Sequence, residues 1–469
     1  MKNALTVIFI LLAATCVQAQ KEAPLPKDLP PYAVQPPSKV PDVKTAKLDN
    51  GLTVWMVSQP GLPKASFVIV VLGGMAADPP DRPGLSELLA NALNQGTKTR
   101  NAKQIAEEMQ SAGGDLGVSA DRETVTINTS VLSSKAELAV GVLADVVRNA
   151  SFPDNEVTLA KRNLTSSLQQ NEAQPSFLAR RAMARALFGS GPYSVVSPTL
   201  DSVGKMTADE LRKEFARRFR PDQSIVIAVG DFDAAKMGNV IKEKLGDWKA
   251  PATPPTAVVA KPSAPAPHEV ILVPRPNSVQ TTLVLGGFGP TRSDPDYEPV
   301  VVANAIYGGT FTSRLVVNIR EDKGYTYSPG AGLSILRQAG VLSTQADVRN
   351  AVTGASLNEI IYELNRMVTT SPTDEELSRA KRFLLGIEAI SMQSRSAVAF
   401  QLANLWVNGL GPEGLETYNK RINEMTADEV NNAARKYFPA SRMTIVTVGE
   451  EKVVREALEP FGLIVKSGK

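Results

Sequence analysis

Glu87 and Asn91 are the first residues whose types and spacing suggest a site, since they lie one helical turn apart in segment 84–97, G-L-S-E-L-L-A-N-A-L-N-Q-G-T. Zinc needs three or four converging ligands, mostly His, Cys and carboxylates. Ala90 and Asn91 are neutral, so Glu87 has no second carboxylate on its helix, and the whole chain contains one His and one Cys. We therefore predict no zinc site here, with Glu87 solvated or ion-paired and His268 at the surface or in a turn.

Arg320 and Tyr327 form a second candidate pair, seven residues apart and just after the glycine pair at 308–309. Arginine offers a planar fork of hydrogen-bond donors, and tyrosine offers a phenolic donor. The ordinary role of such residues is a surface ion pair and a half-buried ring. Spacing leaves Tyr325 open as an alternative to Tyr327, and Arg314 is predicted to be structural.

The segment that carries Glu87 should be an amphipathic helix. Pro83 and Gly84 mark its start and Gly96 its end. Its apolar residues recur at the spacing of one buried stripe: Leu85, Leu88, Leu89, Ala92 and Leu93.

The chain contains an internal repeat. The sequence M-T-A-D-E at 206–210 recurs at 425–429, Val229-Gly230 recurs as Val448-Gly449, and A-K-R at 160–162 recurs at 380–382. Thr207 and Glu210 have the spacing of a helix capping box, and Asn50-Gly51 predicts a hairpin turn. Each half alternates strands and helices. We predict an α+β fold of two homologous domains, each an antiparallel sheet with helices packed on one face.

Two proline-rich segments separate the predicted domains. Residues 1–19 have the positive start, short apolar core and small-residue end of a secretory signal. We predict a proline-rich arm at 20–42, an N-terminal domain at 43–250, a proline-rich linker at 251–267 and a C-terminal domain at 268–469.

Composition excludes some classes of function. The net charge of +3 over 469 residues gives no reason to expect a nucleic-acid partner, and no segment after the signal resembles a membrane span. We expect a periplasmic protein, with lipidation at Cys16 as the less favoured alternative because Ala13-Ala14-Thr15 lacks the preferred Leu. Without Cys16 the mature chain has no cysteine and relies on its core.

The frame of segment 84–97 resembles the helix of the pitrilysin/insulinase family of metallopeptidases, which carries the inverted zinc motif H-x-x-E-H. The glycines, the leucines and the closing Gly-Thr fit, but the chemistry does not. Glu87 stands at the first His ligand, Ala90 at the catalytic Glu and Asn91 at the second His. Ser167 falls at the third ligand, a Glu in the family. The resemblance covers about residues 43–463 and implies a member that has lost its zinc motif.

The segment 308–328 resembles the G-G-x-x-x-S-R-L…L-R-E-x-x-G-x-x-Y segment of the same family's C-terminal domain. There the Arg and the Tyr reach the zinc site, bind the substrate backbone and stabilise the tetrahedral intermediate. The resemblance implies this role for Arg320 and Tyr327, which suits a cationic fork and a phenol. Ile319 stands where the family more often has Leu.

This pattern, with zinc ligands lost and the Arg/Tyr pair kept, predicts the non-zinc subunit of a heterodimeric periplasmic zinc metallopeptidase. A homologous partner chain would hold the zinc, and this chain would be inactive alone, with no cofactor of its own. The substrate would be a peptide or unfolded polypeptide lying extended against a sheet edge. The alternatives are a non-catalytic peptide-binding or scaffold protein and a peptidase active by itself.

Overall fold

The structure is a computed structural model that describes residues 40–253, 258 and 269–467. The predicted signal segment with Cys16, nearly all of the proline-rich arm, most of the linker and His268 lie outside the described residues.

The first half of the chain folds into six strands and eight helices within residues 43–245. In chain order they are β1 (Val43–Lys47), β2 (Thr53–Ser58), β3 (Lys64–Leu72), α1 (Leu85–Leu93), α2 (Ala102–Ser111), β4 (Gly117–Ala120), β5 (Thr124–Leu132), α3 (Ala136–Asn149), α4 (Asp154–Glu172), α5 (Pro175–Phe188), α6 (Leu200–Lys205), α7 (Ala208–Arg218), β6 (Ser224–Gly230) and α8 (Ala234–Leu245).

The second half repeats the scheme within residues 269–466. Its elements are β7 (Glu269–Pro274), β8 (Gln280–Gly289), α9 (Tyr297–Asn304), α10 (Arg314–Val316), β9 (Gly330–Leu336), β10 (Ala339–Arg349), α11 (Thr353–Thr369), α12 (Asp374–Ser391), α13 (Arg395–Val407), α14 (Gly414–Glu424), α15 (Ala427–Tyr437), β11 (Thr444–Gly449), α16 (Glu451–Leu458) and β12 (Leu463–Lys466). Two π-helical turns, Ala305–Gly309 and Val317–Asp322, continue α9 and α10.

The two sheets share a common strand order. The first runs β1-β2-β6-β3-β5-β4 and the second β12-β7-β11-β8-β10-β9. Most pairs are antiparallel, but β2–β6 and β7–β11 are parallel. Only the outermost strand differs, because β1 pairs antiparallel with β2 whereas β12 comes from the other end of the chain and pairs parallel with β7. The predicted fold class, two α+β units each built on one sheet, is confirmed.

Local signals in the sequence form the structures that they predict. Gly51 adopts a φ of +91° in the turn between β1 and β2, a conformation that favours glycine. Thr207 and Glu210 form a reciprocal capping box at the start of α7. Thr426 and Glu429 form the same box at α15, at the equivalent positions of the second M-T-A-D-E sequence. The repeat is therefore visible at the level of single hydrogen bonds.

Each sheet is covered on its second face by a helix from the other half of the chain. Helix α13 packs on β3 and β6 of the first sheet, where Leu402 is fully buried. Helix α5 packs on β8 and β11 of the second sheet, where Leu187 is 1% exposed. Strand β6 is consequently buried along its whole length, as expected for a strand covered on both faces.

The helical run Tyr297–Asp322 has the length and apolar composition of a membrane span, and 61% of its most apolar window is buried inside the protein. Burial of this kind is typical of a core helix.

Candidate functional site

Helix α1 places the residues of the predicted degenerate motif. Its apolar stripe is buried as predicted, with Leu88, Leu89 and Leu93 fully inaccessible. The helix ends at Leu93, earlier than the predicted end at Gly96, because Gly96 and Thr97 leave the helix to form single bridges to Asn101 and Ala150.

A buried ion pair anchors the start of α1. Asp78 accepts hydrogen bonds from the backbone amides of Gly84 at 2.8 Å and Ser86 at 3.1 Å. Arg218 donates to the same carboxylate at 2.7 Å, and both side chains are at most 4% exposed. Arg218 also donates to the carbonyl of Gly73 and to Glu214. Sequence reasoning missed this network, because Asp78 and Arg218 are 140 residues apart.

The residues at the four positions of the predicted degenerate motif do not fit a zinc ion. Glu87 is half-buried beside the Asp78 carboxylate rather than solvated or ion-paired, and burial followed by repulsion from Asp78 raises the pKa of its carboxyl. Ala90 is buried and apolar, and Asn91 is exposed. Ser167 is exposed on α4, which packs against α1. No described residues form a group of three or more His, Cys, Asp or Glu side chains able to hold a metal ion.

A glycine pair allows the segment that carries Arg320 to pack against β9. A Cβ atom at Gly308 would lie 2.8 Å from the Cβ of Ala331, and one at Gly309 would lie 3.0 Å from the Asn304 carbonyl oxygen. Asn304 then donates to the Ala331 carbonyl at 3.2 Å. Only glycine therefore permits this close approach at position 308.

Arg320 lies on the π-helical continuation of α10, a wide turn of a kind found often at functional sites. Gly324 ends the helix with a φ of +61°, and the Tyr325 amide donates to the Ile319 carbonyl at 2.9 Å. The chain therefore reverses after Arg320 and brings Tyr327 back beside it.

Arg320 and Tyr327 meet in an open cleft of about 490 Å³. The guanidinium carbon of Arg320 lies 5.1 Å from the ring centre of Tyr327 and 5.5 Å from that of Phe311. Tyr327 and Phe311 are 81% and 80% exposed, and Phe383 adds a third aromatic ring to the wall. Arg320 pairs at 3.2 Å with Glu321, whose side chain is 59% exposed. Because such an exposed pair is weak, the positive charge of Arg320 stays available to a ligand.

Comparison with known proteins identifies the family. A model described as Insulinase (Peptidase family M16) matches residues 53–196, and a model described as Peptidase M16 inactive domain matches residues 205–384. The two matches follow one another and together exceed half of the chain. The chain belongs to peptidase family M16.

The M16 relatives match along most of their length. An uncharacterized zinc protease of Streptomyces coelicolor is 25% identical over 84% of this chain and 86% of its own. A protein of Helicobacter pylori named a non-peptidase homolog is 24% identical over 83% of this chain and 90% of its own. A crystal structure of a peptidase M16 inactive domain from Pseudomonas fluorescens superposes with a TM-score of 0.81 at 25% identity, covering 87% of this chain and 98% of its own.

Within this M16 fold, the alternative residue Tyr325 and the predicted structural residue Arg314 do not line the cleft. Tyr325 is half-buried and does not line it, so Tyr327 is the tyrosine that faces Arg320. Arg314 is 4% exposed and donates to Glu376 at 2.7 and 2.8 Å. This pair joins the start of α10 to α12, so Arg314 holds the Arg320 segment in place, as its predicted structural role requires.

Proposed function

We propose that this M16 chain is the non-zinc subunit of a heterodimeric zinc metallopeptidase, exported to the periplasm by the segment 1–19. A homologous partner would hold the zinc ion and the general base. This chain would form half of a chamber that encloses the peptide substrate. Arg320 and Tyr327 would donate hydrogen bonds to the bound peptide. The observation that carries the proposal is the placement of these two donors side by side in an open cleft, in a chain whose α1 residues do not fit a metal.

The chemistry of the cleft suits a peptide in the course of hydrolysis. An arginine fork and a phenol can both donate to the oxygen that becomes negative in the tetrahedral intermediate. Phe311 and Phe383 offer an apolar wall for a substrate side chain. Strand β9, which starts at the edge of the cleft, is an outer strand of its sheet, and β4 is an outer strand of the other sheet. Either edge could receive an extended peptide through backbone hydrogen bonds.

The need for a partner follows from the first half. With Ala90 at the position of the base and no metal-binding group among the described residues, this chain would depend on the partner to activate a water molecule. Zinc belongs in this proposal to the partner chain alone.

A second candidate is a non-catalytic peptide-binding or scaffold protein of the same fold. The names of two similar proteins favour it, because one is called a non-peptidase homolog and the other an inactive domain. In that case the cleft would bind peptide without any rate depending on Arg320 and Tyr327.

Two measurements test the proposal. The tagged mature chain, purified from its native host, should copurify with a stoichiometric M16 chain that carries an intact H-x-x-E-H motif. Zinc analysis should find the metal in the complex and not in this chain alone. Recovery of this chain without such a partner contradicts the heterodimer, and stoichiometric zinc in the isolated chain would show that it holds its own catalytic metal.

The reconstituted complex then separates the two candidates. Loss of a donor to a developing oxyanion costs about 10²–10³-fold in kcat. Arg320→Ala and Tyr327→Phe should each lower kcat by about this factor. Tyr325→Phe is the matched control, since it removes a phenol two residues away that does not line the cleft, and it should leave kcat unchanged. Unchanged kcat in Arg320→Ala and Tyr327→Phe would favour the scaffold.

A further inference from the structure

A second cavity, of about 340 Å³, lies between the two halves of the chain and shares no lining residue with the Arg320 cleft. Its walls are the turn between β4 and β5, the end of β3, the end of α7, and the turn between β9 and β10. We call it the interhalf cavity. Nothing in the proposed peptidase role uses it.

The interhalf cavity is strongly basic. Glu123 is the one acidic residue among its described lining residues, whereas five arginines line it: Arg122, Arg217, Arg218, Arg220 and Arg337. Three of these already bind carboxylates close by. Arg217 and Arg218 contact Glu214, and Arg220 contacts Asp222 at 2.6 Å. Arg122 and Arg337 are the two lining arginines whose guanidinium groups form no ion pair with a described residue.

Arg122 is the more buried of these two arginines. It is half-buried, and its guanidinium makes no hydrogen bond or ion pair with any residue that the structure describes. Burial lowers the pKa of this guanidinium and repulsion from Arg180 lowers it further, while attraction to Glu123 and Asp121 offsets only part of this. A desolvated cation without a hydrogen-bond acceptor destabilises the protein unless an anion joins it.

Glu123 attracts Arg122 electrostatically but accepts no hydrogen bond from it. Its carboxylate accepts a hydrogen bond from the Tyr193 phenol and a bifurcated one from the backbone amide of Arg337, at 2.9 and 3.0 Å from its two oxygens. These contacts fasten the β4–β5 turn of the first half to the β9–β10 turn of the second. They also bring Arg337 to the same cavity as Arg122.

We propose that the interhalf cavity binds an oxyanion, the phosphate or carboxylate group of a ligand, between Arg122 and Arg337. Guanidinium groups match both oxyanions through paired hydrogen bonds. Because one arginine comes from each half of the chain, the bound anion bridges the halves next to the Glu123–Arg337 contact. This proposal does not depend on the peptidase role of the Arg320 cleft.

Isothermal titration calorimetry on the full mature chain tests it, with inorganic phosphate as the probe at constant ionic strength. We expect saturable binding of one phosphate per chain. Arg122→Gln and Arg337→Gln should each weaken binding by about tenfold or more, the usual effect of losing a hydrogen bond to a charged group. Arg349→Gln removes a charge from an exposed arginine that does not line the cavity, and should bind like the wild type.

A second pair of probes distinguishes the source of the anion. One short peptide is titrated as its free C-terminal acid and as its C-terminal amide. Binding of the acid alone points to a peptide terminus, and binding of phosphate alone points to a phosphorylated ligand. The proposal is overturned if neither phosphate nor the acid binds, or if both cavity variants bind as the wild type does. Circular dichroism shows whether each variant is folded. Because Arg337 is exposed, Arg337→Gln should fold and tests the proposal even if Arg122→Gln does not fold.

Discussion

The contact between Arg314 and Glu376 joins the helix that leads to Arg320 to α12. Its contribution to the free energy of unfolding can be predicted from the structure. Arg314 opens α10, and its guanidinium donates to both oxygens of Glu376 as well as to the carbonyls of Arg366 and Thr370. Glu376 also accepts from the Thr373 amide at the start of α12. Replacing Glu376 with Gln keeps the shape of the side chain and removes its charge.

The size of the effect follows from the pKa. Hydrogen bonds from Arg314 are the main cause that lowers the pKa of Glu376 from 4.5 to about 2. One pKa unit is worth about 1.4 kcal/mol, so the charged form contributes about 3 kcal/mol to the free energy of unfolding at pH 7. Because the folded pKa is the lower one, this stability is fully present above about pH 4.5. It is lost as the pH falls towards 2, with less than half of it left near pH 3.

The difference in the free energy of unfolding between the wild type and Glu376→Gln is measured by urea unfolding. Circular dichroism follows the unfolding at pH 7, 5, 4 and 3. We expect the variant to be about 3 kcal/mol less stable at pH 7, with the gap narrowing to less than half at pH 3. Glu375→Gln is the matched control. Glu375 is the neighbouring residue, 81% exposed and paired with Arg379, so its loss should cost under about 0.5 kcal/mol. A gap for Glu376→Gln that does not change with pH, or one below about 1 kcal/mol at pH 7, would refute the reasoning.

Two further predictions concern the framework around the sites. Arg218→Met should lower the free energy of unfolding by about 3–5 kcal/mol, since it leaves the Asp78 carboxylate buried without its cation; a loss below about 1 kcal/mol in urea unfolding would show that the pair matters little. Cleavage at a protease site inserted within 251–267 should leave the two halves together on gel filtration, because α5 and α13 each pack on the other half's sheet. Elution as two separate species would contradict this packing.

The sequence alone determined those features that depend on local pattern and residue identity. The recurrence of M-T-A-D-E and of A-K-R indicated two similar units, and the capping box at Thr207 and the turn at Asn50-Gly51 formed where their residues predict them. Residue identity is also the ground for expecting no zinc on α1, because Ala90 and Asn91 cannot replace the base and the histidine ligand of the family's motif. These signals depend on neighbours within a few residues or on simple counts.

The tertiary structure decided which residues meet across long separations. No local sequence pattern predicts that α13 covers the first sheet, that Asp78 pairs with Arg218, or that Arg122 and Arg337 line one cavity. Even Arg320 and Tyr327, which are only seven residues apart, become neighbours because the helix widens, ends at Asp322 and is followed by a reversal of the chain at Gly324. The physical reason is that such contacts are selected by the burial of whole faces and by the pairing of charges that burial removes from water. The burial of faces and the pairing of charges depend on which distant segments the fold brings together, and not on the neighbours of a residue in the sequence.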